Sequence, residues 1–397
     1  MRHRKAFLQN LLKTTKSISM TPPKIFLSPP HMGGTEQEYI AQAFQENWIA
    51  PVGPQLTLFE QHLETYFEGF CVTALNSGTA AIHLGLQFLG VSKNDEVLCQ
   101  SLTFVASVNP VVYLGALPVF VGSESTTGNM CPVALEAAIK NRIQNNKIPK
   151  AILVVHLYGM PAQIDRIMEI ANRYQIPVVE DAAEAMGSRF KGQLCGTFGT
   201  VGVLSFNGNK IITTAGGGAL LTRTHQAKEK CIFWATQAKE NTPHYEHKEI
   251  GYNYRMSNIA ASIGLGQLAV LEQRMQSRRK NHEVYAKMSA LFPQVQLLSA
   301  PVSDFDTNYW LNVIVLNSLE QREALRLHLE KNYIESRPVW KPMHLQPLYQ
   351  ECLYFGTDHA ADLFARGLCL PSGSALTATD FQQIQNAFAL FFEKRKT

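Results

Sequence analysis

The 397-residue sequence predicts an α/β protein: a large domain with a mostly parallel, helix-covered central sheet, followed by a smaller α+β C-terminal domain. Two observations carry this. Strand-like runs (DEVLCQ, LPVFVG, KAILVVHLYG, IPVVED, VGVLSF, ALLTR) alternate with helix-like stretches such as PAQIDRIMEIANRY. From Arg255 the pattern then turns helical for a long run, SNIAASIGLGQLAVLEQRMQSRRKNHEVYAKMSALF. Beyond it NYWLNVIVL is the clearest strand and EQREALRLHLEKN the clearest helix.

The elements follow in chain order. Residues 1–22 form a basic N-terminal extension, expected to be disordered; the segment 23–270 forms the large domain and 271–397 the small one. In ALNSGTAAIHLGLQFLG, Ile82, Leu86 and Leu89 recur on one helical face, and Ser77, Gly78 and Thr79 stand just before or at its start. His83 inside that helix reads as packing. IPVVED is a short buried strand that ends in Asp181, with Glu184 just beyond its C-terminal edge, where ligands of open α/β sheets collect. VGVLSF is a strand with Ser205 near its end, and Lys210 and the glycines of TTAGGG follow.

Composition agrees with a globular protein: 46% hydrophobic and 17% charged residues. The net charge of +4 is concentrated at one end, because the first 24 residues hold six basic residues and no acid. The remainder carries −2, so no global basic surface points to nucleic acid. AFLQNLL is too short and interrupted for a secretory leader, and no run reaches the ~18 apolar residues of a membrane span. The seven cysteines are scattered without CxxC spacing, which argues for a reducing, cytoplasmic setting with neither a zinc site nor a disulfide framework.

The chemistry sits in the pairing of Asp181 with Lys210, twenty-nine residues later. A lysine amine can form a Schiff base with the aldehyde of pyridoxal phosphate (PLP), and a carboxylate at the end of a strand can keep the pyridine nitrogen protonated. The start of the helix at Gly78 offers unpaired N–H groups and a positive dipole end, which suit a phosphate. Singly, each feature has an ordinary structural explanation as a surface charge, a helix cap or a loop.

Together, in this order, they resemble the DegT/DnrJ/EryC1/StrS family of sugar aminotransferases, PLP enzymes of fold type I with the aspartate-aminotransferase-like architecture. The likeness runs from about Ile25 to Ser374. Five segments narrow it: LSPPHMGG, WIAPVGP, SFNGNKIITT, GYNYRMSN and RPVWKPMH are similar to those of enzymes that aminate C4 of UDP-4-keto-6-deoxy-N-acetylglucosamine on the route to bacillosamine-type sugars.

The resemblance implies roles residue by residue. Lys210 is the Schiff-base lysine and Asp181 the partner of the ring nitrogen. Phe104 lies over the ring, and Ser77, Gly78, Thr79 and Ser205 hold the phosphate. Asn253 reaches the phosphate in a neighbouring subunit, so a homodimer shares its active sites. Arg255 falls near the same interface or in a structural ion pair. Glu184 stands near the ring hydroxyl, where many relatives carry Gln or His. L-Glutamate is the expected amino donor, with pyridoxamine phosphate as the intermediate cofactor form. His31, Met32, Gly33, Ala50, Arg337, Lys341 and His344 are the expected contacts of the UDP-linked keto sugar. The retained Lys210 argues against the family's dehydratases, which carry histidine there.

Overall fold

A computed structural model describes residues 24–393 of the chain. The basic extension expected over 1–22 lies outside the described residues. The central sheet has eight strands in the order Cys71–Leu75, Gly218–Thr222, Val201–Ser205, Val178–Asp181, Ala151–Val155, Glu96–Gln100, Leu117–Val121, Tyr354–Phe355. All pairings from Val201–Ser205 to Tyr354–Phe355 are parallel, whereas Gly218–Thr222 is antiparallel to both its neighbours. The expected mostly parallel sheet is therefore present, closed at one side by a hairpin-like reversal.

The apolar runs follow from burial on both faces. Cys99, Leu153 and Val179 face one core with Ile82, Leu86 and Val108 from the helices Gly78–Phe88 and Val105–Tyr113. Their sequence neighbours Leu98, Ile152 and Val178 face the opposite core with Leu135, Ile139 and Ile167 from the helices Pro132–Gln144 and Ile164–Tyr174. The period-2 alternation of strands thus feeds two helical layers. In Ile164–Tyr174 the buried Ile164, Ile167, Ile170 and Ala171 recur at three- and four-residue spacing, which is the helical stripe.

The C-terminal portion builds a four-stranded antiparallel sheet in the order Gln296–Leu297, Asn312–Val315, Gly367–Leu370, Arg337–Pro338. It shares an apolar core with Tyr285, Leu325, Leu329 and Phe388 from the helices Leu271–Ser289, Leu319–Lys331 and Ala378–Glu393. The long helical run is two helices, Asn258–Leu268 and Leu271–Ser289, interrupted at residues 269 and 270. Tyr354–Phe355 returns to the edge of the large sheet, and Ile25 forms an isolated bridge to Ile334.

NYWLNVIVL contributes a strand only over Asn312–Val315. Its first half is bent by a side-chain turn: the Asn308 carboxamide accepts the Trp310 N–H at 2.8 Å, and Tyr309 adopts φ 47°. The turn redirects Trp310 toward the site described next.

Candidate active site

The C-terminal ends of the parallel strands open onto a cavity of about 840 Å³ lined from both portions of the chain. Asp181, Glu184 and Lys210 form its floor, the turn Ser77–Thr79 with Ser205 one end, and Arg337 its mouth. Sequence positions more than a hundred residues apart therefore meet in one concavity.

Asp181 ends its strand and is 3% exposed. Its Oδ2 accepts the Ser107 hydroxyl at 2.7 Å and its Oδ1 the Ala183 N–H at 3.0 Å. Burial pushes its pKa up, and these two bonds oppose that rise. Glu184 is also buried; its Oε2 accepts the Tyr158 N–H at 2.7 Å, and its Oε1 lies 3.5 Å from the Lys210 Nζ. Burial pushes Glu184 up to about 7, with the Lys210 charge as the main opposing influence. Tyr158 itself sits at φ 55°, a strained conformation for a side-chain-bearing residue. The Glu184 carboxylate on its N–H and the Trp340 N–H on its hydroxyl, at 3.0 Å, help to hold it there.

The end lined by Ser77–Thr79 and Ser205 depends on close backbone packing. The Ser77 hydroxyl caps the Gly78–Phe88 helix by accepting the Ala80 N–H at 3.1 Å. A Cβ at Gly218 would meet the Gly78 nitrogen at 2.4 Å, and one at Gly78 would meet the Ser205 Cβ at 3.1 Å. The helix start, Ser205 and the Gly218 strand therefore close into one cradle. A buried carboxylate, a lysine amine and a helix N-terminus with hydroxyls fit the ring nitrogen, aldehyde and phosphate of PLP. Phe104 lines the same cavity, half-exposed, with its ring 5.5 Å from Trp340.

The other expected residues lie elsewhere in the single chain. Asn253 is exposed; its carbonyl accepts the Asn76 side-chain amide at 3.0 Å, and it does not line the cavity. Arg255 makes a buried pair with Glu60 and donates to the Ala74 carbonyl at 2.9 Å, a structural role. Arg337 lines the mouth, gripped by Glu335 at 2.9 and 3.1 Å. His31, Met32, Gly33, Ala50, Lys341 and His344 lie outside the lining. His31 bonds Ser374 at 3.0 Å; Gly33 donates to Glu36 at 2.6 Å, which fixes the loop beside the exposed Met32; the exposed Ala50 accepts the Asn258 N–H at 2.9 Å. His344 bonds Ser101 at 2.6 Å and stacks on Tyr354, and the Lys341 carbonyl accepts Gln346 at 3.1 Å. His83 packs against Tyr252 and Tyr254, as the helix pattern implies.

Sequence reasoning missed Ser107 and Trp310. Ser107 lies three residues past Phe104 in SLTFVAS, with no local signal that its hydroxyl turns onto Asp181. Trp310 comes from a segment a hundred residues beyond Lys210, just before the strand Asn312–Val315. A buried trio of His156, Glu180 and Cys195 is the one group among the described residues with metal-ligand spacing. Its polar atoms are already committed: His156 bonds Glu180 at 2.7 Å and accepts the Ala162 N–H at 3.0 Å, while Glu180 also takes the N–H groups of Gly196, Phe198 and Gly199.

Comparison with known proteins shows the family. The profile of the DegT/DnrJ/EryC1/StrS aminotransferase family matches residues 30–389. The chain belongs to this family. It is 46% identical over 359 residues to the putative pyridoxal phosphate-dependent aminotransferase EpsN of Bacillus subtilis (strain 168), spanning 89% of this chain and 92% of that protein. It is 39% identical over 348 residues to the GDP-perosamine synthase of Escherichia coli O157:H7, spanning 88% and 93%. The fold superimposes on the crystal structure of a DegT DnrJ EryC1 StrS aminotransferase from Brucella abortus with a TM-score of 0.84 at 30% identity, covering 90% of this chain and 95% of that one. The protein is a PLP-dependent nucleotide-sugar aminotransferase of the aspartate-aminotransferase-like architecture.

Proposed function

We propose that the enzyme transfers the amino group of L-glutamate to C4 of UDP-4-keto-6-deoxy-N-acetylglucosamine, giving UDP-4-amino-4,6-dideoxy-N-acetylglucosamine and 2-oxoglutarate. The observation that carries the reaction is the convergence of Lys210, Asp181 and Glu184 in one cavity with the helix start at Gly78 and Ser205. The likeness of five segments to the bacillosamine-type enzymes supports the sugar. When bound, PLP supplies an electron sink and carries the amino group between donor and acceptor.

The chain's own groups do the rest. The Ser77–Thr79 turn and Ser205 hold the phosphate against the helix N-terminus. Asp181, steadied by Ser107, presents a carboxylate to the ring nitrogen and favours its protonated form. Phe104 covers the ring. Lys210 anchors the cofactor between turnovers and, once free, moves a proton to and from the reacting carbon of each substrate. Glu184, its pKa pushed up by burial to about 7, lies 3.5 Å from the Lys210 amine and helps to keep it directed into the cavity. Arg337 exchanges its Glu335 partner for substrate charge at the mouth. Lys341, His344 and the His31–Gly33 and Ala50 loops, outside the cavity lining of the single chain, are proposed to meet the remainder of the sugar nucleotide. Asn253, exposed on its own subunit, reaches the phosphate in a second copy, so the enzyme acts in the cytoplasm as a homodimer with shared sites.

The test is a visible absorbance spectrum of the purified enzyme, repeated after glutamate and then the UDP keto sugar. A cofactor band bleached by glutamate and restored by the sugar supports both halves. A band that answers glutamate but is restored only by a GDP-linked keto sugar would replace the substrate assignment, a reading favoured by the 39% identity to a GDP-perosamine synthase. Lys210→Ala retaining wild-type transamination without added amine would remove the lysine assignment.

A further inference from the structure

Trp310 enters the site from the C-terminal portion and is 2% exposed. The Lys210 Nζ lies 4.2 Å from the centre of its ring and 3.5 Å from the Glu184 carboxylate. An ammonium over an indole face at that range gains a cation–π attraction, strengthened where water is scarce. The Lys210 side chain is 12% exposed, which meets that condition.

The indole is fixed by bonds that lead back to the groups it serves. Its Nε1–H donates to the Asn209 carbonyl at 2.7 Å, immediately before Lys210, and Ser28 donates to the same carbonyl at 2.8 Å. Its backbone N–H is held by Asn308, whose side-chain amide donates to the Glu184 carbonyl at 2.9 Å. The buried Arg278 donates to the Trp310 carbonyl at 2.6 Å. The ring is therefore registered against the backbone of both Lys210 and Glu184.

We propose that Trp310 is a positioning residue for Lys210: its clamped indole face holds the free lysine ammonium beside Glu184 whenever the amine is not covalently engaged. A four-carbon side chain released from a covalent bond otherwise spreads over many rotamers, and only a few leave the amine near a reacting carbon. The ring face limits that spread, yet it is non-directional, so the ammonium can turn its protons between Glu184 and the substrate. The proposal rests on the Lys210 assignment above.

Two variants separate the ring face from the indole N–H. Trp310→Phe keeps a face and loses the N–H, and the Asn209 carbonyl keeps its Ser28 donor. Trp310→Leu loses both. In single-turnover reactions with glutamate, Trp310→Leu slows conversion about tenfold with glutamate affinity changed less than about twofold, and Trp310→Phe restores most of the rate. A second readout needs no cofactor. In the PLP-free enzyme, acetic anhydride labelling of Lys210, followed by peptide mass, is several-fold faster in Trp310→Leu than in wild type near neutral pH. Trp310→Phe, which keeps a ring face against the amine, stays near the wild-type labelling rate. A rate raised equally in Trp310→Phe and Trp310→Leu means the substitution merely opened the cavity and overturns the proposal. So do equal labelling near neutrality, or rates that fall equally in both variants. Borohydride reduction of the holoenzyme tests the underlying reading separately: cofactor fixed on a lysine other than Lys210 refutes the Lys210 assignment itself.

Discussion

Replacing Glu184 by Gln tests the electrostatics of the cavity floor with little change of shape. The carboxamide oxygen still accepts the Tyr158 N–H, which Glu184 accepts at 2.7 Å. In the wild type, burial raises the Glu184 pKa from the ordinary 4.5 to about 7. An acid whose folded-state value lies above its unfolded one contributes stability that is complete below the unfolded value and is lost as pH rises through the folded one. A rise from 4.5 to about 7 corresponds to roughly 3 kcal/mol, at about 1.4 kcal/mol per pKa unit. The PLP-free wild type should therefore lose roughly 3 kcal/mol more than Glu184→Gln between about pH 4.5 and about pH 8. Titrating groups that do not feel the Glu184 charge cancel in the difference. Urea unfolding of the two at several pH values measures it. Parallel stability–pH curves would refute the reasoning, because they would mean that Glu184 titrates as a solvated acid.

Other substitutions probe the frame around that floor. Ser107→Ala removes a 2.7 Å bond to the buried Asp181 carboxylate, so protonation of Asp181 becomes easier and the acid limb of the rate–pH profile moves to higher pH. The accompanying loss of stability is about 1.5–3 kcal/mol, checked by urea unfolding at neutral pH. Gly218→Ala drives a Cβ to 2.4 Å from the Gly78 nitrogen and opens the phosphate cradle, so PLP affinity should fall at least tenfold in equilibrium dialysis. Glu60→Gln leaves the Arg255 guanidinium, 11% exposed, without its buried partner. It should cost about 3–5 kcal/mol in urea unfolding, and a double variant that also replaces Arg255 with Met should recover part of that loss.

The sequence alone determined which segments become strands and helices, because burial on both faces and one-sided helical burial write different periods into the chain. Cys99 and Leu98, or Val179 and Val178, alternate between the two cores as a strand must. It also determined that Asp181, Glu184, Ser205 and Lys210 fall at strand ends and turns, which in a parallel sheet share one edge; the 840 Å³ cavity lies there. The extent of the strand in NYWLNVIVL was not legible, since the Asn308 side-chain turn and the φ of 47° at Tyr309 depend on partners at Glu184 and Met186. For the same reason nothing local marks Ser107 or Trp310. A hydroxyl turned onto a carboxylate seventy-four residues away, or an indole laid under a lysine from a distant segment, is decided by tertiary packing. The tertiary structure also divided the expected sugar-nucleotide residues. It put Arg337 at the mouth of the cavity and gave His31 and His344 neighbours of their own, because loop residues take whatever bonds the surrounding elements leave open.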